Sequence, residues 1–397
     1  MTLILNNMKY SLSVMAVGCC LLAGVPTTGF AQQHVIADKN QVTREIKVGS
    51  FNKLQLDCGF DIVYTPTADK QQLKLHIPDN IKELVQVYVE DHTLFMAIKP
   101  QTTITLTDNK RIELQVSAPM VESVVVNGTG NVRFTRDIRI PQLKLVVNGL
   151  GKISAGNLDS SNFQASVNGN GRISMVRVNS PQVHTCITGS GNLQLENTNA
   201  TNLQAEVFGN GYMQIPQVQT VNANLTAYGA GQIKAVNINA NYSKTIAYGN
   251  GSINVERITA PEAEAEIYGA GKLQVNKLQA NTIATQVHNN GQMKLQGLEA
   301  TQVDALVAGS GEIELKGKAE TGTFNVVGIG RIIASSLLTQ KAEASVNSHG
   351  GTIECYASQH MVINEFKNSH AVKVKGNPQQ IERNYLEGKQ AIQLIEM

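Results

Sequence analysis

From residue 122 onward, apolar and polar positions alternate with a period of two, and a glycine pair breaks the pattern at fixed intervals. Such alternation marks strands with one buried face. "NGTGNV" at 127 to 132 is followed by "NGLGKI", "NGNGRI", "TGSGNL", "FGNGYM", "YGAGQI", "YGNGSI", "YGAGKL", "HNNGQM", "AGSGEI", "VGIGRI" and "NSHGGT". The second glycine falls at Gly130, Gly151, Gly171, Gly191, Gly211, Gly231, Gly251, Gly271, Gly291, Gly311, Gly330 and Gly350. Nine of the eleven intervals are 20 residues and the others 21 and 19, so one structural unit is repeated. The first glycine is replaced only by Asn289 and Ser348.

Two positions flanking the pair are apolar in copy after copy. Val126, Val147, Val167, Ile187 and Val207 precede the first glycine by two residues; Val132, Ile153, Ile173, Leu193 and Met213 follow the second by two. The unit is therefore strand, glycine corner, strand, then a polar link that often carries one more apolar residue, as at Leu158, Val178 and Ile238. One unit cannot bury its apolar face alone, whereas stacked units can. The expected fold is all-β: a parallel β-solenoid of about twelve 20-residue coils, right-handed by the rule for parallel crossovers. Coils ~4.8 Å apart make a rod roughly 55 to 60 Å long. Gly-x-Gly also forms the core of nucleotide-binding loops, but such a loop must open a helix. Here every pair runs into another alternating strand, so the glycines read as structural corners.

The flanks are less regular. "FNKLQLDCGFDIVYTP", "QLKLHIP" and "LVQVYVEDHTLFMAIKP" alternate well in the N-terminal part. The chain divides into a signal peptide (1–31), a strand-rich N-terminal cap with the first irregular coils (32–121), the regular repeats (122–356) and a C-terminal cap (357–397). Caps are expected because an open solenoid end exposes unpaired strand edges.

Composition adds three points. The segment from Met8 has Lys9, an apolar run from Leu12 to Val25 and a small-x-small pattern ending at Ala31, the pattern of an export signal, with translation starting at Met8 as an alternative. Lipidation at Cys19, within "AVGC", is the weaker reading because the apolar stretch before it is short. No later segment has the ~20 apolar residues of a membrane helix, and with the export signal the mature chain is read as periplasmic, at the cell surface or extracellular. The formal net charge of +2, without a basic run, gives no reason to expect nucleic acid or an anionic membrane as partner. Cys58, Cys186 and Cys355 remain after the signal, an odd and widely spaced set, and the eight histidines are scattered. Neither a disulfide framework, a metal site nor a cofactor is expected.

The reiterated turns, "FNKLQLDCGFDIVYTP", "VYVEDHTLFMAI" and the terminal "VKVKGNPQQI" together resemble the bacterial exported family labelled "putative auto-transporter adhesin, head GIN domain". The resemblance covers roughly residues 44 to 380. It implies an exported β-solenoid with no assigned reaction or catalytic residue; this chain departs from the family in having a repeat array longer than the usual domain. Too few residues follow the repeats for a translocator barrel.

The leading functional reading is a non-enzymatic binding, adhesin-like or scaffolding module of the cell envelope, with a glycan or an envelope or surface protein as partner, or a second copy of itself. The alternatives are a polysaccharide-active lyase or hydrolase and an envelope assembly factor. An enzyme of that kind needs converging carboxylates. Lys244, Glu264 and Asp304 share an outward column, and Glu206 and Glu266 lie two positions further along. Lys244 and Glu264, one coil apart, read more simply as a cross-coil ion pair. The candidate binding feature is the column just before the first glycine, where Phe208, Tyr228, Tyr248, Tyr268 and His288 succeed one another. Their rings would form a stripe that is either a self-stacking ladder or a platform for sugar rings or a partner protein.

Overall fold

The computed structural model describes residues 33–67, 69–106 and 111–386. The expected signal peptide, the start at Met8, the lipidation reading at Cys19 and the last eleven residues lie outside the described residues.

The described chain is a β-solenoid of about 13 turns. A regular coil has two strands, such as Gln142–Gly149 and Lys152–Asp159, and each pairs in parallel with its equivalent one coil later, Asn162–Gly169 and Arg172–Asn179. Leu143, Leu145 and Val147 stand in register with Phe163, Ala165 and Val167, and all six are buried. On the second strand Ile173, Met175 and Val178 are buried while Val176 and Arg177 both face solvent. Two successive outward residues reverse the parity, so the coil bends there and closes on its own core. A fully buried Leu, Ile, Val or Phe contributes about 1.5–3 kcal/mol, repeated in every coil.

The glycine columns divide the work of the corner. The first column has positive φ, from +65° at Gly249 to +131° at Gly309, and Asn289 takes the same region at +70°. Asparagine is the non-glycine residue that best tolerates it. In the second column the need is space. A Cβ on any of these glycines from Gly130 to Gly330 would lie 2.3 to 2.8 Å from the preceding coil, as at Gly171, 2.3 Å from Val147 Cγ1. In the last copy the expected Gly350 does not hold this place. Gly350 is exposed, whereas Gly351 is buried with its Cβ position 2.5 Å from Val326 Cγ1. The turn carries one extra residue, so Gly351 faces the stack and Ile353 enters the core two residues later.

The N-terminal region stacks out of sequence order. Lys53–Leu56 and Asp61–Pro66 form a coil with Cys58-Gly59-Phe60 at its corner. One side of this coil pairs with Ser123–Gly128 and Asn131–Phe134, the other with Thr93–Ile98 and Glu113–Ala118. The chain thus leaves the first coil, builds the layer outside it and returns to start the array. Val85–Glu90 pairs antiparallel with Thr93–Ile98, and Gln41–Ile46 and Gln72–Pro78 continue antiparallel from Glu113–Ala118. Antiparallel strands across the rod's end use hydrogen-bonding groups that would otherwise be open to pairing. At the other end Val372–Lys375 and Gln380–Leu386 extend the parallel stack. Glu365, almost fully buried, joins these last layers: it accepts the amides of Ala371 (2.9 Å) and Val372 (3.2 Å) and the Ser369 hydroxyl (3.0 Å), and pairs with Arg383.

Candidate interaction surface

The wall formed by the strands before each corner carries polar ladders on its outer face. Asn168 donates its side-chain amide to Asn148 and Asn148 to Asn127, each at 2.8 Å, and Asn127 reaches Asp57 at 2.6 Å. Identical polar residues at one-coil spacing satisfy one another because register repeats with the coil. Beyond Thr188 the same column turns aromatic.

The structure brings the five predicted ring residues together. Centroids are 4.4 Å apart for Phe208 and Tyr228, 4.7 Å for Tyr228 and Tyr248, 5.1 Å for Tyr248 and Tyr268, and 4.6 Å for Tyr268 and His288. Interplanar angles of 3° to 14° make this a face-to-face stack along the rod. Every internal ring face is therefore covered by the next ring, and the half-buried residues turn their edges outward. A sugar ring stacks on an exposed aromatic face, and only the two ends of this ladder have one. What the wall presents is a strip of ring edges with phenol hydroxyls at one-coil spacing.

The middle of the ladder stands over a part of the core built from small side chains. Behind it the inward residues are Ala223, Leu225 and Ala227, then Ser243, Thr245 and Ala247, then Ala263, Ala265 and Ile267. Ser243 Oγ has no hydrogen-bond partner there, while Thr245 donates to the Glu264 carbonyl at 3.2 Å. Small inward side chains bury less apolar area per coil. Stacked rings outside supply dispersion contact between the same coils, and aromatic pairs contribute about 0.5–1.5 kcal/mol each.

Beside Tyr268 lies the charged group expected from sequence, with one partner more. Lys244 Nζ donates to Glu264 Oε2 at 2.8 Å and to Glu266 Oε1 at 2.7 Å. Burial opposes both charges, but the Lys244 ammonium and the Tyr242 hydroxyl outweigh it at Glu264, whose carboxyl is held below its ordinary range. Lys244 is raised, its two carboxylates outweighing its own desolvation. The Tyr242 phenol is pushed up to about 12 by burial and then by Glu264, and the Tyr268 phenol rises through burial and Glu266. A general acid needs a raised carboxyl pKa, the opposite of the shift at Glu264. Glu264 is separated from Asp304 by the coil bearing Ala284, and Glu206 faces His184 at 4.0 Å. The structure thus brings Lys244, Glu264 and Glu266 together and leaves Asp304 and Glu206 apart from them. Sequence reading missed Tyr242, whose position six residues before Tyr248 in the same outward parity was the available signal.

No helix among the described residues is long and apolar enough to cross a membrane, and no group of three or more metal-ligating side chains occurs among them.

Among solved structures, the chain is similar to a "putative adhesin" from Bacteroides fragilis, at 22% identity over 61% of this chain and 99% of that one, with a TM-score of 0.47. It is also similar to a "putative lipid binding protein" from Parabacteroides distasonis, at 17% identity over 76% and 98%, TM-score 0.31. A "putative adhesin" from the same species matches at 15% identity over 89% and 100%, TM-score 0.29. No curated protein matches the chain. Three overlapping stretches, 50–237, 174–280 and 263–378, match one family model, and across them the chain belongs to the family described as "Putative auto-transporter adhesin, head GIN domain".

Proposed function

We propose that this protein is an exported, non-enzymatic binding module, adhesin-like, whose rigid rod presents the ladder wall to a surface protein or glycan of the cell envelope or of a neighbouring cell. The observation that carries this reading is the strip of half-exposed ring edges from Phe208 to His288, continuous over five coils on a wall whose neighbouring outward residues are mostly polar. Exposed apolar strips rimmed by polar groups are common at interaction sites, and tyrosine combines an apolar body with a hydrogen-bonding tip. The family's description agrees with binding at surfaces and with an exported or surface location. Covered ring faces favour a protein partner, or a glycan held by hydrogen bonds to the hydroxyls, over sugar stacking.

The test replaces Tyr228, Tyr248 and Tyr268 together by Thr and measures binding to whole cells, to arrayed glycans and to itself, with thermal unfolding alongside. Loss of binding by a variant that remains folded supports the reading; a folded variant that binds as before removes it. Turnover of acidic or neutral glycans by purified protein, abolished in Glu264→Gln, would establish the enzymatic alternative in its place.

A further inference from the structure

A second feature lies on the other wall, near the N-terminal end. Lys152 and Arg172 occupy the same outward column of adjacent coils, in register with each other, and Asn131 is the next member of the column. Arg133 stands in register with Ser154, and Ser154 with Ser174. Arg111 completes the group, its Nη1 3.6 Å from Asp61 Oδ2. These side chains line one shallow depression, which Asp61 and Glu113 also border.

Both carboxylates are already engaged. Asp61 is held by Arg111 and by the Asn131 amide at 2.6 Å, and Glu113 accepts the Gln115 amide at 2.9 Å. Arg133, Lys152 and Arg172 are exposed and pair with no carboxylate among the described residues. Like charges facing one another on paired strands repel. The fold does not require them, since the same column continues as Asn192, Tyr212, Gln232 and Ser252. Three unpaired cations with two serine hydroxyls between them form a receptor for oxyanions, and a guanidinium can take a carboxylate or sulfate through two parallel hydrogen bonds.

We propose that this depression binds the carboxylate or sulfate groups of a linear acidic polysaccharide. Lys152 and Arg172 sit ~4.8 Å apart along the rod axis, a row that an extended polymer can follow, whereas a single small anion would engage only part of it. Ser154 and Ser174 donate hydroxyls from the adjoining column. The site is separate from the aromatic wall, so the Tyr228, Tyr248 and Tyr268 triple variant should bind acidic polymers as the parent does, and only its binding to other partners bears on the aromatic wall.

The experiment titrates the purified chain with polygalacturonate, dextran sulfate, neutral dextran, and inorganic sulfate and phosphate, at low and at high salt. The two acidic polymers are expected to bind and dextran not to, with binding weakening as salt rises. Inorganic sulfate and phosphate should compete only at concentrations at least a hundredfold higher than the polymers. The double variant Lys152→Gln/Arg172→Gln, and independently Arg133→Gln, should weaken polymer binding at least tenfold with unchanged thermal unfolding. Arg257→Gln/Lys277→Gln, which removes another in-register basic pair, should stay within twofold of the parent. Equal losses in the two double variants would mean diffuse charge attraction and overturn the site. Polymer binding that survives Lys152→Gln/Arg172→Gln, or is missing from the parent, overturns it as well. Inorganic anions binding as tightly as the polymers would replace the polysaccharide with a free anion.

Discussion

Tyr228 and Tyr248, one coil apart, stack with centroids 4.7 Å apart and planes 3° from parallel. Each has a second ring on its other face, whereas Phe208 has one ring neighbour. Replacing Tyr248 by Thr, which keeps strand propensity, should cost about 1–3 kcal/mol from two lost contacts, and Phe208→Thr about half as much. Urea unfolding of the two variants checks this. Equal losses would show that stacking is not what the rings contribute.

The two glycine columns should respond differently to substitution. Gly251→Val places a Cβ 2.5 Å from the Ala227 carbonyl oxygen, and Gly231→Val one 2.7 Å from Val207 Cγ1. Each should destabilise by about 3 kcal/mol or more, as overpacking and strain combine. Gly249 has φ +65°, the region that Asn289 occupies with φ +70°, so Gly249→Asn should cost about 1 kcal/mol or less. An unchanged melting temperature for Gly251→Val would contradict the stacking described above.

The three described cysteines are free thiols and should separate by accessibility. Cys186 faces outward and is half-buried, and its thiol is raised by burial and then by Glu206 despite the Thr188 hydroxyl. Burial pushes the Cys58 and Cys355 thiols up to about 12. A maleimide at neutral pH should therefore label Cys186 well before the other two, with mass mapping as the readout. Cys355 reacting first would require the opposite strand parity.

The ion pair around Lys244 gives a pH dependence with a definite sign. Glu264 is depressed in the fold, so its contribution is present above the ordinary carboxylate pKa and is lost as pH falls through the lowered value. Lys244 is raised, so its contribution is complete below the ordinary lysine pKa and is lost as pH rises through the folded value. Lys244→Met should thus lower stability by about 1 kcal/mol near neutrality. In acid below the lowered Glu264 value, the gap from the parent should narrow. Chemical unfolding of both proteins at the two pH values measures it, and a gap that widens in acid would refute the pairing.

Much of this molecule was legible from its repeat. A 20-residue period with apolar residues at Val147, Ile153 and Leu158 and their equivalents dictates which side chains point inward. Because each coil repeats the spacing of the last, it also dictates that like residues stack in register. That local, many-times-repeated signal was enough for the parallel solenoid, the aromatic column and the Lys244–Glu264 pair. The tertiary structure decided what spacing does not encode. Ring torsions turned the tyrosine faces toward one another, so the column presents a strip of edges. Turn geometry separated glycines needed for positive φ from those needed for space, and moved the last stacked position from Gly350 to Gly351. The place of the 53–66 coil between two layers, the burial of Glu365 against Arg383, and the approach of Arg111 to the column that carries Lys152 and Arg172 all depend on residues that occur once. Such contacts are long-range and unrepeated, so no column in the sequence announces them, and only the folded stack brings them together.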